Sequence, residues 1–417
     1  METLDHNVVS TILSFVPPSE TLFVRSVCRQ WRDLAPFENH KIADVISHYA
    51  RSNSVTALSK LKELYPRYLP CFQYKRSRCI EWSDSRKYSK NSSPEINTTV
   101  FNAAALGGSS DVLSWALDLG LSRNHHTCAN AALNGHLSTL QWLRKHGCTW
   151  DSSTCANAAL NGHLDTLKWA HSNGGLWDET AASNAAAAGH MEILEYLYEN
   201  MCPISETTCT EAARAHHFDI LEWLYAHGVV GDETTCAAAA GNLGILQWLR
   251  SKECPWDYET CDEAAGSGNL ESLKWAYSNG CELSESAAAN AASAGHLEIL
   301  KWLVKNGEQI EDSSMRYAAS NGHLEVLKYG KEIGCSMDSE TIAYAAFFGK
   351  REVIQWLYEN GVEWSELVTE NAVKGGNLEL LKWLIDNGCP FNLDECKLSA
   401  SKSKQENVLE WLNCWNK

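Results

Sequence analysis

The 417-residue sequence contains no run of roughly 18 or more apolar residues, so no transmembrane helix and no membrane partner are expected. Its first residues lack a basic flank followed by an apolar stretch, and a secretory leader is not expected either. Among its 16 cysteines no two stand in a Cys-x₂₋₄-Cys pair, the usual half of a four-ligand zinc site. Without a leader, reduced thiols and a cytoplasmic or nuclear setting are expected. The adjacent histidines His125-His126 and His216-His217 invite a catalytic reading. No Gly-rich phosphate loop, His-Glu-x-x-His or nucleophile motif accompanies them, so neither catalysis nor a cofactor is expected. Basic residues are also short: 35 Lys and Arg against 52 Asp and Glu, a net charge of -17. The deficit lies beyond residue 98. Residues 1–98 carry 14 basic and 10 acidic residues, and residues 99–417 carry 21 and 42. An acidic body repels phosphate backbones, so nucleic acid is not an expected partner, whereas a basic protein surface is attracted. The plainer reading is that the charge serves solubility.

What the sequence has instead is a period. Trp115, Trp142, Trp169, Tyr196, Trp223, Trp248, Trp275, Trp302, Tyr329, Trp356, Trp383 and Trp411 stand 27 residues apart, except for steps of 25 (Trp223 to Trp248) and 28 (Trp383 to Trp411). Such a period is the mark of a repeat architecture of eleven or twelve units. Residues 155–175, CANAALNGHLDTLKWAHSNGG, show one unit. Small residues around Ala158 and Ala159 predict a first helix that neighbours can approach closely. Gly162 ends it, since glycine accepts the left-handed conformation at a helix C-terminus. Leu164, Leu167 and Ala170 predict the buried stripe of a second helix. Linkers such as Cys-Pro-Trp-Asp at 254–257 follow, with an Asp, Ser or Thr placed to cap the next helix. A single pair cannot bury its apolar face, but stacked copies share a core. The aromatic ladder is expected to be structural, each ring packing on its counterpart one unit along. The linker residues Trp150, Trp177, Trp256 and Trp364 are expected to pin loops. Cysteines seven apart, such as Cys254 and Cys261, read as small buried side chains. The turn histidines and the register Asn130, Asn157, Asn184, Asn290 and Asn371 predict side-chain bonds to the backbone of neighbouring units. In the short 25-residue unit the first helix is expected to be curtailed, leaving a weak joint.

The run Ala158-Ala159-Leu160-Asn161-Gly162-His163-Leu164 resembles the core of the ankyrin repeat. The match recurs at Gly135-His136, Gly189-His190, Gly295-His296 and Gly322-His323, with variants Gly268-Asn269 and Gly376-Asn377. Ankyrin repeats run about 33 residues and open on Thr-Pro-Leu-His. These units are shorter, and the projecting hairpin of that family is expected to shrink to a loop. The resemblance implies an all-α, ankyrin-like solenoid over residues 99–417, closed by a polar final unit with Lys402, Lys404, Gln405 and Glu406, and it implies protein binding. Residues 41–98 read as an irregular helix pair, 42–51 and 55–65, followed by a basic connecting loop.

Residues 1–40 are not a repeat. Leu4, Ile12, Leu13, Phe15 and Val16 precede Pro17-Pro18, and Val27-Cys28-Arg29-Gln30-Trp31-Arg32-Asp33-Leu34-Ala35 follows. This segment resembles an F-box, a small helical module that binds a Skp-type adaptor of cullin-RING ubiquitin ligases. The resemblance implies adaptor contacts through Leu4, Ile12, Leu13, Pro17, Val27 and Trp31. It departs at Leu4-Asp5, where the family has Leu-Pro. The competing reading is a helical cap that seals the solenoid. F-box plus ankyrin architectures resemble those of large DNA viruses and some protists; a viral source would place the protein in a host cell.

Recognition is expected where an accessible register departs from small residues. Tyr344, Phe347 and Phe348, with Arg351 just past the turn, form the first such cluster, and Tyr317 precedes Tyr344 by one repeat. Aromatic residues and arginine are what interface hot spots use. Arg214, His216 and His217 form the second. The resulting expectation is a ubiquitin-ligase substrate receptor whose repeats hold a target protein. A scaffold or sequestering protein with no ubiquitin link is the alternative.

Overall fold

The computed structural model describes residues 94–118, 120, 121 and 123–415. Among them are 24 helices in twelve consecutive pairs and no strand, a repeat helical solenoid. The chain divides into two compact units, Met1–Thr208 and Cys209–Lys417. The segments 1–40 and 41–93 lie outside the described residues.

In the first unit the described part opens on the Pro94–Leu106 helix. It begins inside the stretch expected to be connecting loop. Proline suits a first helical position, where its missing N–H would have no helical partner anyway. The Ser152–Leu160 and Leu164–Ser172 pair shows how a unit is built. The Asp151 carboxylate accepts from the Ser153 backbone N–H at 3.1 Å and caps the first helix. That helix buries Thr154, Cys155, Ala156, Ala158 and Ala159, all small, and packs on both the His125–Leu133 and Glu179–Ala187 helices. The second helix buries Thr166, Leu167 and Ala170. Leu164 is only half-buried, so the buried stripe starts one residue pair later than the spacing predicted.

Between the two helices the chain closes a tight turn. The His163 N–H donates to the Ala158 carbonyl at 2.9 Å and the Gly162 N–H to Ala159 at 3.4 Å. This is the two-bond helix stop that needs a left-handed residue, here Gly162 at φ +79°. Such a turn leaves the last carbonyl of the helix over, and in the two preceding repeats the following repeat meets it. Asn161 Nδ2 donates to the Leu133 carbonyl of the preceding unit at 2.7 Å. One unit earlier Asn134 Nδ2 and His136 Nε2 meet the Leu106 carbonyl at 2.6 and 3.1 Å. The predicted asparagine register adds a second row: Asn157 and Asn184 donate to Ala129 and Ala156 at 3.2 and 3.1 Å.

The second unit repeats the scheme over a continuous apolar core from Ala240 to Leu412. His296 and His323 meet the Gly266 and Ser293 carbonyls at 3.1 and 2.9 Å. Asn377 and Gln405 do the same for Phe347 and Lys374 at 2.7 and 3.1 Å. Asn290 donates to Asp262 at 3.4 Å, whereas Asn371 leaves its row and bonds Leu367 in its own helix. The 25-residue step has the curtailed helix the sequence predicts. Glu233–Ala238 has 6 residues where its counterpart Tyr258–Gly266 has 9, held at its start by reciprocal bonds between Asp232 and Thr235. In the final unit Lys404 occupies the turn-glycine register at φ 57°.

The aromatic ladder corrects the expectation of ring-on-ring stacking. Its tryptophans are half-buried. Trp169, Trp275 and Trp383 meet a linker ring rather than a counterpart, whereas Trp142 and Trp223 stack on His146 and His227, and Trp302 meets Tyr277. In the first unit Trp150 stands edge-on to Trp169 at 5.9 Å, and in the second Trp256 meets Trp275 at 5.7 Å and Trp364 meets Trp383 at 5.8 Å. Alanine-rich first helices draw close and dominate the contact between repeats. The longer side chains of the second helices hold those helices apart, and the linker indole fills the gap. Arg144 and Arg250 lie over Trp150 and Trp256 at 3.9 and 4.3 Å, pinning the linkers as expected.

Two outcomes follow for the second unit. Gly295 has φ +80°, and a Cβ there would come within 2.5 Å of His323 Nδ1. Gly307 has φ +95° with nothing within 4 Å. Both alanine substitutions incur backbone strain of roughly 1–3 kcal/mol, but Gly295→Ala also displaces the imidazole. Thermal denaturation should show the larger loss for Gly295→Ala; equal losses would deny His323 its bridging role. In hydrogen exchange, amides of residues 236–242 should exchange faster than their counterparts at 261–269, and equal protection would show that the short helix makes no weak joint.

Candidate functional site

Side chains that face away from the stack are free to differ, and in the second unit one joint uses that freedom. The Ser339–Phe347 helix packs on the Glu366–Lys374 helix, and Gly375 makes the approach possible. A Cβ on Gly375 would lie 1.9 Å from the Phe347 carbonyl oxygen. That carbonyl takes the Asn377 amide, so the backbone under Phe347 is locked while its ring faces outward. Between the two helices runs a groove of about 410 Å³. Tyr344, Phe347, Phe348 and Leu367 form its apolar walls, with Ala343 between them, and Glu340 and Asn371 complete the lining. The spacing explains the alignment, since Glu340, Tyr344 and Phe348 follow one another at i, i+4 on one helix face. Phe347 and Phe348 meet edge to face with centroids 5.0 Å apart. All four apolar wall residues are exposed, Phe348 by 53% and Tyr344 by 46%.

Of the residues singled out in the sequence, the structure therefore brings Tyr344, Phe347 and Phe348 together. Arg351 does not join them: its guanidinium lies over the Trp383 ring at 4.7 Å, on the second-helix side. Tyr317 is exposed by 51% but does not line the groove. Arg214 is exposed and pairs with Glu211 at 3.6 Å. His216 takes the turn-glycine register at φ 62°, which accounts for its departure from the repeat pattern. His217 holds the turn, its N–H donating to Ala212 at 2.9 Å. The six residues Leu4, Ile12, Leu13, Pro17, Val27 and Trp31 lie outside the described residues. Sequence reasoning missed Glu340, Leu367 and Asn371. The signal was the period itself, because Leu367 stands 27 residues after Glu340 and puts an apolar side chain where that unit has a carboxylate.

Beside the acidic end of the groove, Arg316 replaces the small residue of its register. Its guanidinium reaches Asp338 at 2.7 Å and Glu340 at 2.8 Å. Burial alone would raise the Asp338 carboxyl, but the Thr341 N–H and the Arg316 guanidinium outweigh it and bring it to about 2. Eleven of the 13 described cysteines are buried, Cys335 is half-buried and Cys414 exposed. Burial, and then the nearby Asp178 carboxylate, push the Cys155 thiol up to about 12. Among the described residues no cluster of three or more His, Cys, Asp or Glu is placed to hold a metal ion. None of their helices is long and apolar enough to cross a membrane.

Comparison with known families agrees with this construction. Residues 261–341 match ankyrin repeats in three copies, and residues 342–385 match ankyrin repeats in many copies. Residues 1–39 match the F-box domain. This is an F-box and ankyrin-repeat chain. The groove falls within the ankyrin match, so it belongs to a module used for protein interaction. No curated protein matches the F-box and ankyrin-repeat chain. Among solved structures it is similar to the pentatricopeptide repeat protein PPR10 in complex with an 18-nt psaJ RNA element, at 12% identity and a TM-score of 0.38, over 97% of this chain and 72% of that one. PPR10 from maize gives 12% identity and a TM-score of 0.36, over 97% and 67%. At those scores the likeness carries no argument about this chain.

The Arg316 contacts set a pH dependence. Asp338 has a folded-state pKa below its ordinary value of 3.8, so its ionised contacts stabilise the fold above that value and are lost as pH falls toward about 2. Because the pair is partly exposed, Arg316→Gln should cost about 1 kcal/mol or less near neutral pH. The difference in melting temperature between wild type and variant should shrink between pH 4 and pH 2. A difference that stays constant over that range would show that the ion pair contributes nothing.

Proposed function

We propose that the chain is the substrate-recognition subunit of a Skp–cullin–F-box ubiquitin ligase. The F-box segment docks on a Skp-type adaptor through Leu4, Ile12, Leu13, Pro17, Val27 and Trp31. The repeats hold the protein to be modified at the groove of Tyr344, Phe347 and Phe348. Catalysis belongs to the ligase, so this chain needs two binding surfaces and a stiff connection. The observation that carries the reading is the presence, in one chain, of an F-box match and of a repeat array with a cluster of exposed aromatics. Burying one aromatic side chain at an interface contributes roughly 1.5–3 kcal/mol, so two or three rings suffice to anchor a complex. Arg214, His216 and His217 rank second as a partner surface, since each already has a role or a contact in its own turn. A scaffold without a ubiquitin link keeps the groove and gives up the adaptor.

The test is co-purification of the full-length chain with a Skp-type adaptor. Wild type should retain it, and Val27→Asp with Trp31→Ala should lose it while the helical circular-dichroism signal stays unchanged. Tyr344→Ala with Phe348→Ala should keep both the adaptor and the melting temperature but lose the target. If wild type fails to retain the adaptor where a known F-box succeeds, or the Val27/Trp31 variant retains it, the ligase assignment falls. A drop of many degrees in the Tyr344/Phe348 variant would make those rings part of the core.

A further inference from the structure

The charges around the groove are unevenly placed along its length. At one end stand Asp338 and Glu340 with Arg316 as their cation. On the facing helix are Glu366 and Glu370, and Glu395 approaches from the next repeat. Lys374 pairs with Glu370 at 3.3 Å. Glu370 and Glu395 are close enough to share a hydrogen bond, and that contact, ahead of burial, raises the Glu395 carboxyl. Five carboxylates thus share two cations, so the patch carries excess negative charge. The aromatic end is different in kind, with Phe347 and Phe348 closing it at the C-terminus of their helix. From Glu340 to Phe348 the helix rises about 12 Å. An extended peptide covers that distance in three or four residues.

We infer that the groove binds a basic linear segment of another protein. An apolar side chain of the segment lies among Tyr344, Phe348 and Leu367. A lysine or arginine roughly three or four residues away reaches Glu340 and Glu366. This rests on the reading of the groove as the target surface and adds the chemistry of the target. Charge selects the occupant. The repeats of a second copy, residues 99–417, would bring 42 acidic against 21 basic residues to an already acidic patch, and nucleic acid is repelled for the same reason. A neutral apolar segment would fill the aromatic end and leave the excess negative charge without counter-charge.

The experiment uses a random 12-residue phage-displayed peptide library panned on the full-length chain, with selected peptides resynthesised and measured by fluorescence anisotropy. Selected sequences should place Lys or Arg near a Leu, Ile, Phe or Trp. Their affinity should fall about tenfold or more in Tyr344→Ala with Phe348→Ala, and similarly in Glu340→Lys with Glu366→Lys. In the lysine variant, exchanging the peptide's basic residue for Glu should restore binding. Glu340→Gln with Glu366→Gln serves if the lysine variant does not fold, and should weaken binding in the same direction. Peptides that need Tyr344 and Phe348 but carry no basic residue, or tolerate the charge variants, overturn the basic-segment inference and leave the groove as target surface. Peptides indifferent to Tyr344 and Phe348 overturn the groove reading too. Failure to select any peptide overturns the claim that the ligand is a linear segment.

Discussion

A helix of nine residues leaves its last carbonyls without partners inside the helix. In this chain the turn after such a helix takes care of two of them, and in several repeats a remaining one is met from outside by an amide or imidazole of the next repeat. Leu133 receives Asn161, Gly266 receives His296, and Phe347 receives Asn377. The bond is directional, so it sets where each helix sits on its neighbour as well as holding it there. Alanine and glycine in the first helices follow from it. A donor on a short side chain spans from one repeat to the next only if the helices are nearly in contact. The second helices, relieved of that demand, carry the larger apolar residues, with linker tryptophans filling the space between.

The same bond makes a binding surface possible. Side chains on the outward face of a first helix do not hold the stack together, because its backbone and small buried residues do. Phe347 is the clearest case, with its carbonyl fixed by Asn377 and its ring left exposed. A rigid backbone under an exposed ring lowers the ordering cost of binding, which is a main term opposing association. In the complex proposed above, the surrounding carboxylates would add selectivity at little cost in stability, since most remain in contact with water. Arg316 offsets two of them and also ties its repeat to the Asp338 cap of the next one.

The two kinds of module differ in size. The F-box match spans 39 residues, too few to bury a large core unaided. The repeats form an extended series of similar joints, any of which can change its outward residues without cost to the others. Only the joint at Tyr344, Phe347 and Phe348 has gathered several aromatics around one groove among the sites described above.

The sequence alone determined the repeat, its two helices, the turn glycines, the short helix in the 25-residue unit and the bridging histidines. Each is set by local physics: period, left-handed turn geometry and the reach of one side chain. It also marked Tyr344, Phe347 and Phe348, because they break a register that the period makes visible. Tertiary structure decided what the period is blind to. The direction of a side chain across a joint placed Arg351 against Trp383 and left Tyr317 outside the groove, and it brought Leu367 and Asn371 into the lining from the next repeat. The spacing of the second helices decided that Trp169, Trp275 and Trp383 meet linker rings instead of one another. Those outcomes depend on distances between helices, which arise from the packing of all their side chains together and are written in no single repeat.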